Sequence, residues 1–270
     1  MTEWRRDEVP YERIGPVGWL RAGVRAVLFA IVVFGGLLIL LALRLFEAPL
    51  FGKTRPWSPY VTQVVCRLCL PVLGLRATIR GRPMACRGAV VANHASWLDI
   101  IVLNAFDRVY FVSKSEVAAW PVIGWLARAT GTLFIARDPA AAKHQQAQFE
   151  TRLRAGHRLL FFPEGTSTDS RRILPFKTTL FAAFYTHGME EIMHVQPVTV
   201  NYTAPGGKDP RFYGWWGDMD FATHMFVVLA CPKPGHVALI YHDPVPVDEF
   251  KGRKPLAAHL EDVIRKGIPD

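Results

Sequence analysis

The sequence predicts an α/β fold, a mixed central sheet flanked by helices, with a membrane helix or hairpin at its N-terminus. Three observations carry this. From about residue 76 onward, apolar runs of strand length alternate with helix-length segments. Ala26 to Leu43 is an 18-residue run without a charge. No internal repeat or low-complexity tract points to an array instead. Residues 1–75 read as a tail and membrane-associated helical segment, and 76–270 as the α/β domain.

In chain order, residues 1–18 are polar and charged. The run from Ala26 to Leu43, built as a helix at ~1.5 Å per residue, covers ~27 Å, against a hydrocarbon core of ~30 Å. Arg21, Arg25 and Arg44 bracket it and can snorkel to the interface. It exceeds an ordinary signal-peptide core, and Glu47-Ala48-Pro49 is a poor cleavage site. Tyr60 to Leu75 is apolar apart from Gln63 and Arg67, and reads as an interfacial helix or the return arm of a re-entrant hairpin. Arginines on both sides of the first run leave the orientation open.

The net charge of +9 is uneven: residues 1–90 hold 13 Lys+Arg against 5 Asp+Glu, which leaves +1 for the rest. A basic segment beside a long apolar one suits an anionic membrane surface. No nucleic-acid-binding motif accompanies the charge, so no nucleic-acid partner is expected. Cys66 and Cys69 have CxxC spacing but no second pair and no nearby histidine pair, so they read as packing thiols. The remaining histidines lack ligand spacing, and no metal is expected.

Strands are expected over Ala89–Ala92, Arg108–Ser113, Thr132–Ala136, Arg158–Phe162, Met193–Asn201 and Val237–Tyr241. Helices are expected from near Trp97, over Glu116–Ala129, from Asp138-Pro139 to Gly156, over Pro175–His187, and in the C-terminal tail. Pro205 to Asp220 is a loop rich in glycine and aromatic residues. Its rings could face a lipid interface, cap a substrate tunnel or cover core.

The chemistry concentrates in Asn93-His94-Ala95-Ser96-Trp97-Leu98-Asp99, which follows an apolar strand and opens a helix. Ligands and catalytic groups gather at this edge of α/β sheets. An imidazole there can act as general base while a carboxylate fixes its tautomer. A five-residue offset is about 140° out of phase on a continuous helix of ~3.6 residues per turn. His94 and Asp99 therefore meet only if His94 precedes the helix and Asp99 lies in its first turn. Ser96-x-x-Asp99 also reads as a capping box, a role compatible with the first. No G-x-S-x-G elbow occurs, which argues against an acyl-serine route.

Four blocks together resemble the PlsC-type glycerolipid acyltransferase family. These are the Asn93–Asp99 block as N-H-x4-D, Gly131 to Arg137 as G-x-x-F-I-x-R, Phe162-Pro163-Glu164-Gly165-Thr166 followed by Leu174-Pro175-Phe176-Lys177, and Val195 to Val200 around Pro197. They stand in the family's order and span about residues 90–200. The resemblance implies a membrane-bound enzyme that moves an acyl chain from an acyl thioester to a lysolipid hydroxyl. His94 and Asp99 would be catalytic. Arg137, Glu164, Gly165, Thr166 and Lys177 would serve the substrate, with Glu164 either on the acceptor or holding Lys177. Backbone amides near Gly165 or at the helix start after His94 are the oxyanion donors to look for. No cofactor is implied; acyl-CoA or acyl carrier protein is the co-substrate. The setting would be a bacterial inner membrane with the site facing the cytoplasm. The chain departs from the family at Ser167, where arginine is frequent, and at Thr178-Thr179, where a basic-Gly pair is common. Both departures bear on the headgroup and not on the chemistry. The expected acceptor is 1-acyl-glycerol-3-phosphate, giving phosphatidic acid, with lyso-ornithine lipid or a related lyso-aminolipid as the alternative. An inactive membrane scaffold or a thioesterase would be the readings outside this class.

Overall fold

A computed structural model describes residues 13–52, 54–136 and 142–268. Its first element is α1 (Pro16–Phe51), 36 residues and so ~54 Å long, twice the uncharged run inside it. By length and composition it could cross a membrane. It exposes large apolar side chains along its whole length, among them Val17, Leu20, Ile31, Leu38, Leu45 and Leu50. The chain then folds back as α2 (Ser58–Val72), and Gly36 lets the two helices approach so closely that a Cβ there would meet Val65 Cγ2 at 2.1 Å.

Both ends of α1 are tied down. Near its start, Arg21 donates to Ala230 O at 2.7 Å, and Arg25 donates to Leu229 O at 3.2 Å and Cys231 O at 2.9 Å. Near its end the buried Glu47 carboxylate accepts from the amides of Trp57 (2.6 Å) and Ser58 (2.9 Å) and from the Ser58 hydroxyl. It thereby satisfies first-turn donors of α2 that no local side chain caps.

The catalytic part alternates strands and helices: β1 (Leu75–Arg80), β2 (Gly88–Ala92), α3 (Leu98–Phe106), β3 (Tyr110–Lys114), α4 (Ile123–Thr130), β4 (Leu133–Ile135), α5 (Ala142–Arg154), β5 (Leu159–Phe161), β6 (His194–Thr203), α6 (Phe221–Ala230), β7 (Gly235–Tyr241), β8 (Val245–Pro246) and α7 (Arg253–Lys266). The sheet order is β1-β7-β6-β2-β5-β3-β4, with β8 on the start of β6. From β6 to β4 the strands are parallel, and β7 turns the direction over. β2 lies mid-sheet with both faces covered. Val90 and Ala92 join the core under α2, α3 and α6, while Ala89 and Val91 join the core with α5 and α7. That explains its unbroken apolar run.

Two expected helices are wrong in extent. Glu116–Ala129 is a 3-10 turn, Ser115–Ala119, and a separate α4. Pro121 cannot continue the ladder, and Gly124 sits where a Cβ would meet Ala118 O at 2.2 Å, so the chain doubles back. Over Pro175–His187 only the 3-10 turn Leu180–Tyr185 forms. Lys177 N is bound to Pro163 O at 2.9 Å and Phe176 N to the Glu261 carboxylate at 2.8 Å, which hold the first part extended. β1, β8 and α6 were not expected. The helix start at Asp138-Pro139 lies outside the described residues.

Candidate active site

The site forms at the carboxyl ends of β2, β5 and β6. Past Ala92, the Asn93 carboxamide takes over the ladder: it donates to Val200 O at 2.9 Å and accepts from Val200 N at 2.8 Å. His94 is thereby lifted off the end of β2, just before α3. Its Nδ1 lies 2.7 Å from Asp99 Oδ2. The same oxygen accepts from the amides of Ala95 (2.8 Å) and Ser96 (3.0 Å). The reach-back half of the capping box therefore exists. Its other half does not, because Ser96 Oγ is buried without a partner.

Asp99 is fully buried, and its second oxygen accepts from the Tyr202 phenol at 2.7 Å. Tyr202 lies in no sequence block. It arrives because β6 runs on through Thr203, five residues past Val198, the partner of Ala92. With Asp99 accepting at Nδ1–H, the free Nε2 of His94 carries the lone pair. Phe162 stacks on the imidazole at 4.0 Å and 9°, fixing its plane, and the His94 side chain keeps 19 % exposure.

Glu164 is 2 % exposed, and its two oxygens accept from His94 N and Leu174 N, each at 2.6 Å. It holds backbone; no bond to Lys177 forms. Burial pushes its carboxyl up to about 8, against the two amide bonds that favour the anion. On the other side of the same residue, His94 O accepts from Thr168 N at 2.9 Å. Gly165, at φ +70°, lies so close to Lys177 that a Cβ would stand 2.6 Å from Nζ. Lys177 is exposed and Thr166 partly exposed beside it. Arg137 lies outside the described residues.

Of the amides expected as oxyanion donors after His94, those of Ala95 and Ser96 are engaged, since both serve Asp99. Gly165 N is bound to Phe162 O at 3.0 Å. The aromatic loop mostly covers core: Phe212, Tyr213 and Trp216 are buried. Trp215 N donates to Ala95 O at 2.9 Å, so the loop also braces the His94 turn. His224 of α6 accepts from Trp97 Nε1 at 2.8 Å and lies 3.2 Å from Phe212 O through Nε2. Burial pushes it down to about 4, so it stays neutral. Among the described residues no three His, Cys, Asp or Glu side chains group as metal ligands.

A base with its orienting carboxylate at a strand end is shared by several enzyme classes, so comparison with known proteins is decisive. A lyso-ornithine lipid O-acyltransferase of Rhodobacter capsulatus is 59% identical over 98% of this chain and 96% of its own. The chain belongs to the PlsC-type glycerolipid acyltransferase family. The family profile described as Acyltransferase matches residues 80–201 of this PlsC-type protein, the span that holds all four blocks. A Rhizobium meliloti protein of the same name as the first relative is 32% identical over 94% of this chain and 88% of its own. A 1-acyl-sn-glycerol-3-phosphate acyltransferase of Neisseria gonorrhoeae is 36% identical, over only 44% of this chain and 46% of its own. The crystal structure of the acyltransferase PlsC from Thermotoga maritima shares the fold, with TM-score 0.62 and 21% identity over 93% of this chain and 92% of its own. The protein is therefore an acyltransferase.

Proposed function

We propose that this acyltransferase esterifies the free hydroxyl of a lyso-ornithine lipid with an acyl chain from acyl-CoA or acyl carrier protein. The single observation that carries the acceptor is the 59% identity, over nearly the whole length of both chains, to a protein of that name. Two Neisseria relatives named for the glycerol phosphate acceptor match 44% of the chain, and the Thermotoga maritima acyltransferase of that acceptor matches 93% of it at only 21% identity, which favours the aminolipid over 1-acyl-glycerol-3-phosphate.

The geometry of the dyad supports direct transfer. His94 Nε2 takes the acceptor's hydroxyl proton as the oxygen attacks the thioester carbonyl, and Asp99 stabilises the imidazolium through Nδ1. The tetrahedral intermediate collapses with cleavage of the C–S bond, and the imidazolium returns its proton to the departing thiolate. The Gly165 amide is occupied, and we assign the oxyanion to the Thr166 amide of the same turn. Lys177, exposed beside Gly165, and Arg137 supply positive charge for the carboxylate of the ornithine headgroup. Glu164 contributes by fixing the His94 backbone.

The setting is the cytoplasmic face of a bacterial inner membrane. A helix of ~54 Å whose start is tied to Ala230 of α6, and beyond whose far end Arg55 is tied to Ala129 of α4, supports insertion of the hairpin into one leaflet, because a spanning helix would carry one end ~30 Å away from the catalytic unit.

The test is a paired mass-spectrometric assay with purified protein, an acyl thioester, and either lyso-ornithine lipid or 1-acyl-glycerol-3-phosphate, with His94→Ala alongside. Ornithine lipid formed by the wild type and not by the variant is the expected result. Phosphatidic acid alone would overturn the acceptor. Free fatty acid without an acceptor would mark a thioesterase, and no product with either acceptor an inactive scaffold.

A further inference from the structure

The crossover from β3 to β4 carries an apolar turn, Trp120-Pro121-Val122-Ile123-Gly124-Trp125, in which Trp120, Pro121, Val122 and Trp125 are exposed and Ile123 is half-buried. Trp125 is 63% exposed, Trp120 40% and Val122 37%. Between Glu116 and Arg137 the sole charged residue is Arg128. The turn is built to stand out. Gly124 presses on Ala118 O, Arg128 donates to the same carbonyl at 2.6 Å, and Val122 is held at φ +64°. A β-branched residue at positive φ is strained, and burying Val122 does not offset that strain.

This turn is continuous with the apolar face of α1. α4 packs against both α1 and α2, and Arg55, between those helices, donates to Ala129 O at 2.9 Å. A second route runs through rings: Trp19 of α1 touches Phe226 of α6 (5.7 Å), Phe221 on the same helix touches Trp215 (6.2 Å), and Trp215 touches Trp120 (6.4 Å). Trp215 also holds Ala95 through its amide, and Phe221 touches Trp97 at 5.2 Å. The turn, the His94 loop and α1 therefore form one connected rim.

We propose that the Trp120–Trp125 turn is a second point of insertion into the lipid bilayer, separate from the α1–α2 hairpin, and that it seats the mouth of the active site at the interfacial zone. Tryptophan is favoured in that zone, where an amphipathic ring meets both apolar and wet surroundings, and a lone cation at the margin suits anionic headgroups. The inference rests on the membrane association read from α1 and not on the identity of the acceptor.

The test uses the full chain in nanodiscs of phosphatidylethanolamine and phosphatidylglycerol, with acyl chains brominated near the headgroup as a fluorescence quencher. Wild type is compared with Trp125→Phe and with Trp120→Phe/Trp125→Phe, which keep a ring at exposed positions. The expected result is that bromolipid quenches the emission these two of the eight tryptophans contribute, while aqueous iodide does not. Quenching of that emission by iodide and not by bromolipid would place the turn in water and overturn the proposal. Quenching by neither would mean a protein cover such as a second copy, and would overturn it equally. Because no turnover is read, a failed acceptor assay leaves this result interpretable.

Discussion

The phenol of Tyr202 donates to Asp99 Oδ1 at 2.7 Å from a strand 103 residues along the chain. Asp99 Oδ2 is saturated by His94, Ala95 and Ser96, so Tyr202 is what keeps the other oxygen of a fully buried carboxylate from lacking a partner. Stranding such an oxygen costs about 1–3 kcal/mol. Tyr202→Phe keeps the ring packing and is expected to lower kcat about tenfold, the equivalent of ~1.4 kcal/mol, with little change in the acceptor KM. Steady-state kinetics beside a thermal melt check it. A melt lowered without any loss of kcat would mean that Tyr202 supports only the fold.

Much of this site was legible in local sequence and part of it was not. The apolar run before His94 located the strand, and the five-residue spacing located the dyad, because both are decided within a dozen residues. Tyr202 was not legible, since its meeting with Asp99 depends on how far β6 overshoots β2, a matter of long-range register. The same holds for Glu164: its place in a motif suggested contact with substrate, and only tertiary structure shows both oxygens on backbone amides. The helix expected over 175–187 failed because tertiary bonds at Phe176 and Lys177 overrode local propensity. α6 was hidden by its brevity, ten residues of mostly apolar sequence with no periodic polar face.

Asp99→Asn tests the dyad itself. The carboxamide can still accept from Tyr202 through its oxygen, but its NH2 group would face three donors, His94 Nδ1–H and the amides of Ala95 and Ser96. The imidazole would lose its anchor and its preferred tautomer. In the related logic of a serine-protease triad, that change costs on the order of 10⁴-fold in kcat, and a loss of that order is expected here by steady-state assay. A loss below tenfold would remove Asp99 from the chemistry.

Two buried groups give stability opposite dependences on pH. His224 is pushed down to about 4 from 6.5, so the unfolded chain binds more protons between those values. Its contribution is complete above about 6.5 and lost as pH falls to about 4. Glu164 is pushed up to about 8 from 4.5, so the folded protein holds the extra proton. Its contribution is complete below about 4.5 and lost as pH rises to about 8. The interval from 6.5 to 8 is therefore governed by Glu164 and not by His224. Glu164→Gln cannot titrate and is expected to flatten the fall of Tm across that interval, measured by melts in detergent. Parallel slopes in the two proteins would return Glu164 to the ordinary carboxylate range.

Gly165 and Lys177 are expected to act as one unit. A methyl group at Gly165 would stand 2.6 Å from Lys177 Nζ and would also put a side chain at φ +70°, a conformation that costs about 1 kcal/mol for residues other than glycine. The ammonium must then move, even though its charge is intact. If Lys177 binds the carboxylate of the acceptor, Gly165→Ala raises the acceptor KM about ten- to a hundredfold, on the scale of one charged hydrogen bond of about 1.5–3 kcal/mol. Lys177→Met does the same by removing the charge. The informative measurement is the double variant, because two substitutions that disable one contact are not additive. A double variant no worse than Lys177→Met alone is the expected outcome. Multiplying effects would show that Gly165 matters for the turn and not for where Lys177 points.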